Sequence, residues 1–319
     1  MSSEGFLTVD PQARDALANK KIVILIPAYN ESRFIGSIVL QASEYGNVIV
    51  IDDGSMDGTG EIARRAGAMV IRHEVNQGKG AALNTGFHYA SQLPADAVVA
   101  LDGDGQHRCS DIPGVAVPIL SGAADLVVGS RFLERKSRIP RWRIAGQQAL
   151  TWATNFSSGA RLTDSQSGFR AFSPALLRRF NFDTAGFSVE SEMQFLVKDG
   201  QLRVVEVPIQ VSYADPPKRN PVTQGLQVVN GIVRLVSQHR PLFFFGAGGL
   251  SLLILGLIWG GYVVDIYARL HVLAVGYALI SVLMTILGAT ALFTGLMLNA
   301  VINLLQDMKK TLEQMRRNE

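Results

Sequence analysis

Two aspartates separated by one glycine stand in the run Asp102-Gly103-Asp104-Gly105-Gln106-His107, directly after the apolar segment 97–101. Carboxylates at that spacing, at the end of a buried strand, can share a hard divalent cation, and the cation can bridge two phosphate oxygens of a nucleotide. Gly103 and Gly105 let the backbone come close to a bound group, and Gln106 or His107 can complete the metal shell. The opposing reading is a solvated acidic turn. A second pair, Asp52-Asp53, closes the apolar run 48–51. Its carboxylates can receive hydrogen bonds from a base or a ribose, although Asp57, Gly58 and Thr59 equally suit a capped turn. Third, Gly78-Lys79-Gly80 opens a helical pattern whose first N–H groups, together with Lys79, can meet an anion or a nucleobase. It is not a P-loop, because Gly-x-x-x-x-Gly-Lys-Ser/Thr is absent. No Gly-x-Gly-x-x-Gly follows the first apolar run either, which weighs against a dinucleotide oxidoreductase.

These clusters need elements to hold them. Residues 21–27, 48–51, 68–72, 97–101 and 125–128 read as short buried strands, rich in Val and Ile and without a polar face. Between them, residues 34–39, 61–66 and 81–90 carry helical spacing or helix-forming composition. The alternation predicts an open, mostly parallel α/β sheet. In such a sheet ligands bind beyond the carboxyl ends of the strands, where all three clusters fall, as does Gly129-Ser130-Arg131.

The second half changes character. Residues 142–158 are mildly amphipathic through Ile144, Leu150, Trp152 and Phe156, and 222–238 place Leu226, Val229, Ile232, Val233 and Val236 on one stripe. The latter reads as an interfacial helix. Residues 242–264 and 272–298 are uncharged and apolar, and about 20 such residues suffice to cross a bilayer. They predict a transmembrane hairpin with a short break at 265–271; two buried helices of a soluble domain are the competing reading. Arg234, His239 and Arg240 precede the hairpin and Lys309, Lys310, Arg316 and Arg317 follow it, against Arg269 and Asp265 in the break, so both ends are expected inside. The domain boundaries expected are a cytosolic catalytic domain at 1–220, an amphipathic helix at 221–240, the hairpin at 241–305 and a basic cytosolic tail at 306–319.

Bulk properties agree with a membrane-associated protein. Of the 319 residues 48% are hydrophobic, and mean hydropathy is +0.20. A net charge of +3, without a basic run interleaved with aromatics, argues against a nucleic-acid partner. A modest basic excess also suits an anionic bilayer surface. Cys109 is the single cysteine, so no intrachain disulfide forms and a reducing compartment is the simpler expectation. Glu4 and Asp10 interrupt the N-terminal stretch, which does not read as a secretory signal; the catalytic part is expected in the cytoplasm.

In order along the chain stand Pro27-Ala28-Tyr29-Asn30-Glu31, Asp52-Asp53-Gly54-Ser55-x-Asp57-Gly58-Thr59, Asn76-Gln77-Gly78-Lys79-Gly80 and the Asp102–His107 run. With these the sequence closely resembles family 2 glycosyltransferases. Within that family it is most similar to polyprenyl-phosphate glycosyltransferases of the dolichol-phosphate mannose synthase group. The resemblance covers roughly residues 20–240 and continues through Gly129-Ser130-Arg131 and Ser167-Gly168-Phe169-Arg170. It implies an A-type glycosyltransferase (nucleotide-diphospho-sugar transferase) fold, here with a C-terminal two-helix transmembrane hairpin.

The resemblance also implies roles. Pro27, Ala28, Tyr29 and Glu31 would line the nucleoside pocket, Asp53 would contact the base, and Lys79 and Gly103 would belong to the nucleotide-sugar site. Asp102, Asp104 and Gln106 would hold Mg²⁺ or Mn²⁺ on the diphosphate. Arg131 and Arg143 would bind the acceptor phosphate, with Asp102, Asp104 and Arg131 the catalytic set. Lys218 and Arg219 would close over the donor, although the loop Asp215-Pro216-Pro217-Lys218-Arg219-Asn220-Pro221 departs from the family's Arg-x-x-Gly-x-Ser-Lys pattern. Glu190 or Glu192 either faces the sugar or satisfies buried groups. The implied reaction is inverting transfer of a hexose from GDP-mannose or a UDP-sugar to dolichyl or undecaprenyl phosphate at the cytoplasmic membrane face. A processive polysaccharide synthase, a non-catalytic nucleotide-binding membrane protein, and a homo-oligomer formed through the hairpin stay open as further readings.

Overall fold

The computed structural model describes residues 17, 19–133, 141–180, 182, 189–190, 193–194, 202–211, 230, 233, 236–237, 240–272 and 274–318; the side chains of 141–143, 306–307, 309–310 and 312–318 lie outside the description. The chain divides into two compact units, Met1–Val228 and Val229–Glu319.

The first unit is built on a seven-stranded sheet. Its strands are β1 (Ile22–Ala28), β2 (Asn47–Asp52), β3 (Met69–Arg72), β4 (Ala97–Ala100), β5 (Leu126–Ser130), β6 (Arg170–Phe172) and β7 (Val204–Pro208), in the spatial order β3-β2-β1-β4-β6-β5-β7. Strand β6 runs antiparallel to both its neighbours, and the other pairings are parallel. The helices are α1 (Ile35–Ala42), α2 (Thr59–Arg65), α3 (Lys79–Ala90), α4 (Ile112–Leu120), α5 (Arg141–Ser158) and α6 (Pro174–Leu177).

Strand β1 explains why the sequence carries no alternation there. Ile22, Ile24 and Ile26 pack with Ile35, Ile38 and Val39 of α1 on one face. Val23 and Leu25 pack with Ala82, Leu83 and Phe87 of α3 on the other. A strand covered on both sides has no polar face to show. Register then aligns the strand ends: Ala28 sits opposite Asp52, Asp53 N–H donates to Ala28 O at 2.9 Å, and Leu101 N–H donates to Leu25 O at 3.1 Å. The loops after β1, β2 and β4 therefore emerge side by side.

The second unit is a helical hairpin: a π-wound turn at Leu242–Ala247, then α7 (Gly248–Leu270) and α8 (Val275–Asn318). Leu242–Leu270 and Val275–Leu305 are long and apolar enough to cross a bilayer. Small residues make the contact between the helices. A Cβ on Gly288 would lie 2.4 Å from Leu253 N and one on Gly256 2.7 Å from Thr285 Oγ1, while Ser281 Oγ donates to Gly256 O at 2.8 Å. Large apolar side chains such as Leu257, Ile258, Val264, Leu279 and Phe293 point outward. Small inside and large apolar outside is the packing of helices in lipid, and it speaks against a soluble core.

The expected break at 265–271 is displaced: α7 continues through Leu270, with Asp265 and Arg269 paired one turn apart at 3.0 Å. The turn comes at His271, which adopts a left-handed φ of 52° and donates its N–H to Tyr267 O. Of the expected 222–238 stripe, only residues 230, 233, 236 and 237 are described, and these are helical.

Candidate active site

Where the ends of β1, β2 and β4 meet, a cavity of about 370 Å³ is lined by Pro27, Ala28, Tyr29, Glu31, Asp53, Lys79, Asp102, Gly103 and Asp104, with Asn76, Gly78 and Ala82 completing its wall. That volume is in the range of small-ligand sites, roughly 300–1,000 Å³.

The turn after β2 braces the loop after β1. Asn30 N–H donates to Ser55 Oγ at 3.0 Å, Glu31 N–H to Thr59 Oγ1 at 2.9 Å and Ser32 N–H to Asp57 Oδ2 at 3.0 Å. Asn30 Oδ1 accepts in return from Met56 N–H. Burial pushes the Asp57 carboxyl up, but hydrogen bonds from Thr59 and Ser32 prevail and bring it to about 2. The turn formers Asp57 and Thr59 thus hold Glu31 at the cavity. Asp52 is buried, with Oδ1 accepting from Ser55 N–H and Arg72 3.6 Å from Oδ2. Its neighbour Asp53 collects three donors: His73 Nδ1 at 2.7 Å and Gln77 N–H at 2.9 Å on Oδ1, and Gly78 N–H at 2.8 Å on Oδ2.

The carboxylate pair lines the same cavity. Lys79, at the start of α3, sets its ammonium 2.6 Å from Asp102 Oδ1 and 2.5 Å from Glu190 Oε1. Burial opposes charge on Lys79, but the two carboxylates more than offset it and raise the ammonium above its ordinary range. Burial likewise opposes charge on Asp102, and Lys79 with His107 holds it well below the usual carboxylate range. Asp104 moves the other way, raised by burial and by the charge of Asp102. A Cβ on Gly168 would fall 2.3 Å from Asp102 Oδ2, so the Ser-Gly-Phe-Arg segment needs glycine for Asp102 to lie where it does. His107 Nε2 is 3.9 Å from Asp102 Oδ2, and Nδ1 of that ring is buried without a partner among the described residues.

The donor chemistry fits Mg²⁺ or Mn²⁺. Asp102 and Asp104 are hard oxygen donors that both line the cavity, and a cation beside them would offset the burial and the Asp102 charge that raise Asp104. No group of three or more His, Cys, Asp or Glu side chains suited to a metal occurs among the described residues.

Gln106 and Arg131 are not part of this lining. Gln106 donates its main-chain N–H to Asp104 Oδ1 at 3.0 Å and does not line the cavity. Arg131 is 8% exposed and closes its fork on Asp164, Nε to Oδ2 at 2.6 Å and an Nη to Oδ1 at 2.7 Å. It lines neither the cavity nor the small cleft behind Lys79. The Arg143 side chain, Lys218, Arg219 and Glu192 lie outside the described residues. Sequence reasoning gave no role to Arg170, which is fully buried and donates to Ser167 O, Ser165 O and Glu190 O, tying β6 to the residue that meets Lys79. Its place in the Ser-Gly-Phe-Arg motif was the available signal.

The model of glycosyl transferase family 2 matches residues 23–186, just over half the chain and the whole of this cavity wall. The chain belongs to that family. Among relatives of this glycosyltransferase, the UDP-N-acetylglucosamine–dolichyl-phosphate N-acetylglucosaminyltransferase of Methanococcus voltae is 36% identical, over 62% of this chain and 88% of that protein. An undecaprenyl-phosphate mannosyltransferase of Micrococcus luteus is 30% identical, over 59% and 82%. The glycosyltransferase also shares its fold with glucosyl-3-phosphoglycerate synthase of Mycobacterium tuberculosis, solved with Mn²⁺, uridine diphosphate and glucosyl-3-phosphoglycerate. The TM-score is 0.52 at 23% identity, covering 75% of this chain and 86% of the synthase.

Proposed function

We propose that this glycosyltransferase transfers a hexose, with inversion, from a nucleotide-sugar to a polyprenyl phosphate at the cytoplasmic membrane face, using Mg²⁺ or Mn²⁺ held by Asp102 and Asp104. The observation that carries the reading is the gathering of nine sequence-predicted donor residues around one cavity. The polyprenyl-phosphate acceptors named for the Methanococcus and Micrococcus relatives support the acceptor class. The Mn²⁺ and uridine diphosphate in the synthase of like fold support the donor and the cation.

When bound, the cation supplies charge that stabilises a departing nucleoside diphosphate. The chain's own residues do the rest. Pro27, Ala28, Tyr29, Glu31 and Asp53 seat the nucleoside, and the Lys79 ammonium lies beside Asp102 where the leaving group's negative charge accumulates. A phosphate monoester acceptor is anionic near neutral pH, so no general base is required; positioning behind the anomeric carbon is. Arg143, Lys218 and Arg219 complete the reading as contacts to the acceptor phosphate and the donor. Arg131 meets the acceptor only if its fork opens from Asp164. In this account residues 1–220 are the catalytic domain, 221–240 an interfacial helix, 241–305 the membrane hairpin and 306–319 a tail on the catalytic side.

The test is to incubate membranes carrying the protein with radiolabelled UDP- and GDP-sugars and polyprenyl phosphates, then extract the lipid. The reading expects label in a lipid-phosphate fraction, dependent on divalent cation and absent with Asp104→Ala. Label that enters only a polymer, or no fraction at all, would contradict it.

A further inference from the structure

Resting on the nucleotide-sugar reading of the cavity, we infer that His73 is a positioning residue for donor recognition, acting through Asp53 on the turn that faces the nucleoside. His73 lies just beyond β3 and does not line the cavity, but both of its ring nitrogens are engaged: Nδ1 at 2.7 Å from Asp53 Oδ1 and Nε2 at 2.9 Å from Thr85 Oγ1 on α3. The ring is 10% exposed and the Asp53 side chain 4%. A carboxylate only accepts, so Nδ1 carries the proton; in the neutral ring Nε2 then accepts from the Thr85 hydroxyl. The histidine's own N–H is fixed on Asp52 O at 2.9 Å.

The consequence falls on the cavity wall. Asp53 Oδ1 also takes Gln77 N–H and Oδ2 takes Gly78 N–H, so this one carboxylate sets the path of the turn that carries Asn76, Gly78 and Lys79 into the cavity. Gly78 holds a φ of 92° there, a conformation glycine reaches without a steric cost and other residues rarely adopt. Packing makes the turn sensitive to small shifts: a Cβ on Gly54 would lie 2.7 Å from Asn76 N. Without His73 the Asp53 carboxylate keeps its two backbone donors but loses the side chain that fixes its plane against α3. Held by Gln77 and Gly78 alone, the carboxylate settles with the turn instead of against α3, and Gly78 shifts in the cavity wall that faces a bound nucleoside.

The test uses the full-length protein in detergent or vesicles, with UDP and GDP as binding probes and a radiolabelled transfer assay. His73→Ala is expected to raise the nucleotide Kd and the donor KM about 10-fold, the worth of one hydrogen bond to a charged group. The kcat at saturating donor and the KM for polyprenyl phosphate should change by less than about twofold, because the residue acts through donor seating alone. His73→Asn, whose amide can donate from near the Nδ1 position, should recover most of the affinity. Thr85→Val, which leaves Asp53 its proton donor but frees the ring, should give a smaller shift in the same direction. Equal nucleotide binding by wild type and His73→Ala would overturn this inference alone. So would a uniform fall in kcat and both KM-based efficiencies that His73→Asn fails to rescue. Failure of the wild type to bind either nucleotide would overturn the donor reading, and this inference with it.

Discussion

Lys79 places its ammonium 2.6 Å from Oδ1 of Asp102 and is itself held by Glu190 at 2.5 Å, so a protein cation already matches the first carboxylate of the Asp-Gly-Asp pair. A divalent ion on the same oxygen competes with it. Lys79→Met should therefore tighten binding of Mn²⁺ in the absence of nucleotide, read by titration with paramagnetic detection of free Mn²⁺. The same variant should lower kcat/KM for the donor by about 10–100-fold, the size of one or two charged hydrogen bonds.

Asp104 yields a pH-dependent prediction. Burial and the Asp102 charge raise its folded-state pKa above the ordinary carboxylate value, so the folded protein holds this proton more tightly than the unfolded chain. Its contribution to stability is therefore lost as pH rises from the unfolded value through the raised folded one. Asp104→Asn should melt at a higher temperature than wild type at neutral pH, with the gap closing in acid, while transfer is abolished. Melting curves from pH 4 to 8 check the sign.

Gly168 is predicted to tolerate no side chain. A Cβ there would lie 2.3 Å from Asp102 Oδ2, and displacing a catalytic carboxylate by about 1 Å can cost on the order of 100-fold in rate. Gly168→Ala should show that loss with the protein still folded. The control is Gly114→Ala in α4, where an added Cβ meets nothing within 4 Å; it should leave transfer unchanged and stabilise by about 0.5–1 kcal/mol.

Much of this arrangement was legible in the sequence, and the limits have physical causes. Strands β1, β2 and β4 announced themselves because buried strands of a parallel sheet are apolar throughout, and the polar clusters fell at their ends because that edge is where such sheets bind ligands. Strand β6 is three residues, Arg170–Phe172, too short to show a period, and pairing across β4 and β5 depends on contacts distant in sequence. The brace on Asp53 was illegible for the same reason: His73, Gln77 and Gly78 reach it across 20 to 25 residues. For Arg131, the family resemblance implied a contact to the acceptor phosphate, and only the fold brings Asp164, 33 residues on, into its fork.

That fork gives a further prediction. Arg131→Ala leaves the buried Asp164 carboxylate without its bidentate partner, and breaking a buried pair from one side costs about 3–5 kcal/mol. Stability measured by denaturant or heat should fall accordingly, in addition to any effect on the acceptor. The double variant Arg131→Met with Asp164→Leu should recover part of the stability, which separates the structural contribution from phosphate binding.

The central claim is that Asp102 and Asp104 serve a cation on a nucleotide diphosphate in this cavity. Equilibrium binding of UDP and GDP to wild type and to Asp104→Asn, with and without Mn²⁺, tests it most directly. At least one nucleotide should bind the wild type in a Mn²⁺-dependent manner, and Asp104→Asn should lose that dependence. Nucleotide binding of equal strength with the metal chelated, or in the Asp104→Asn variant, would contradict it.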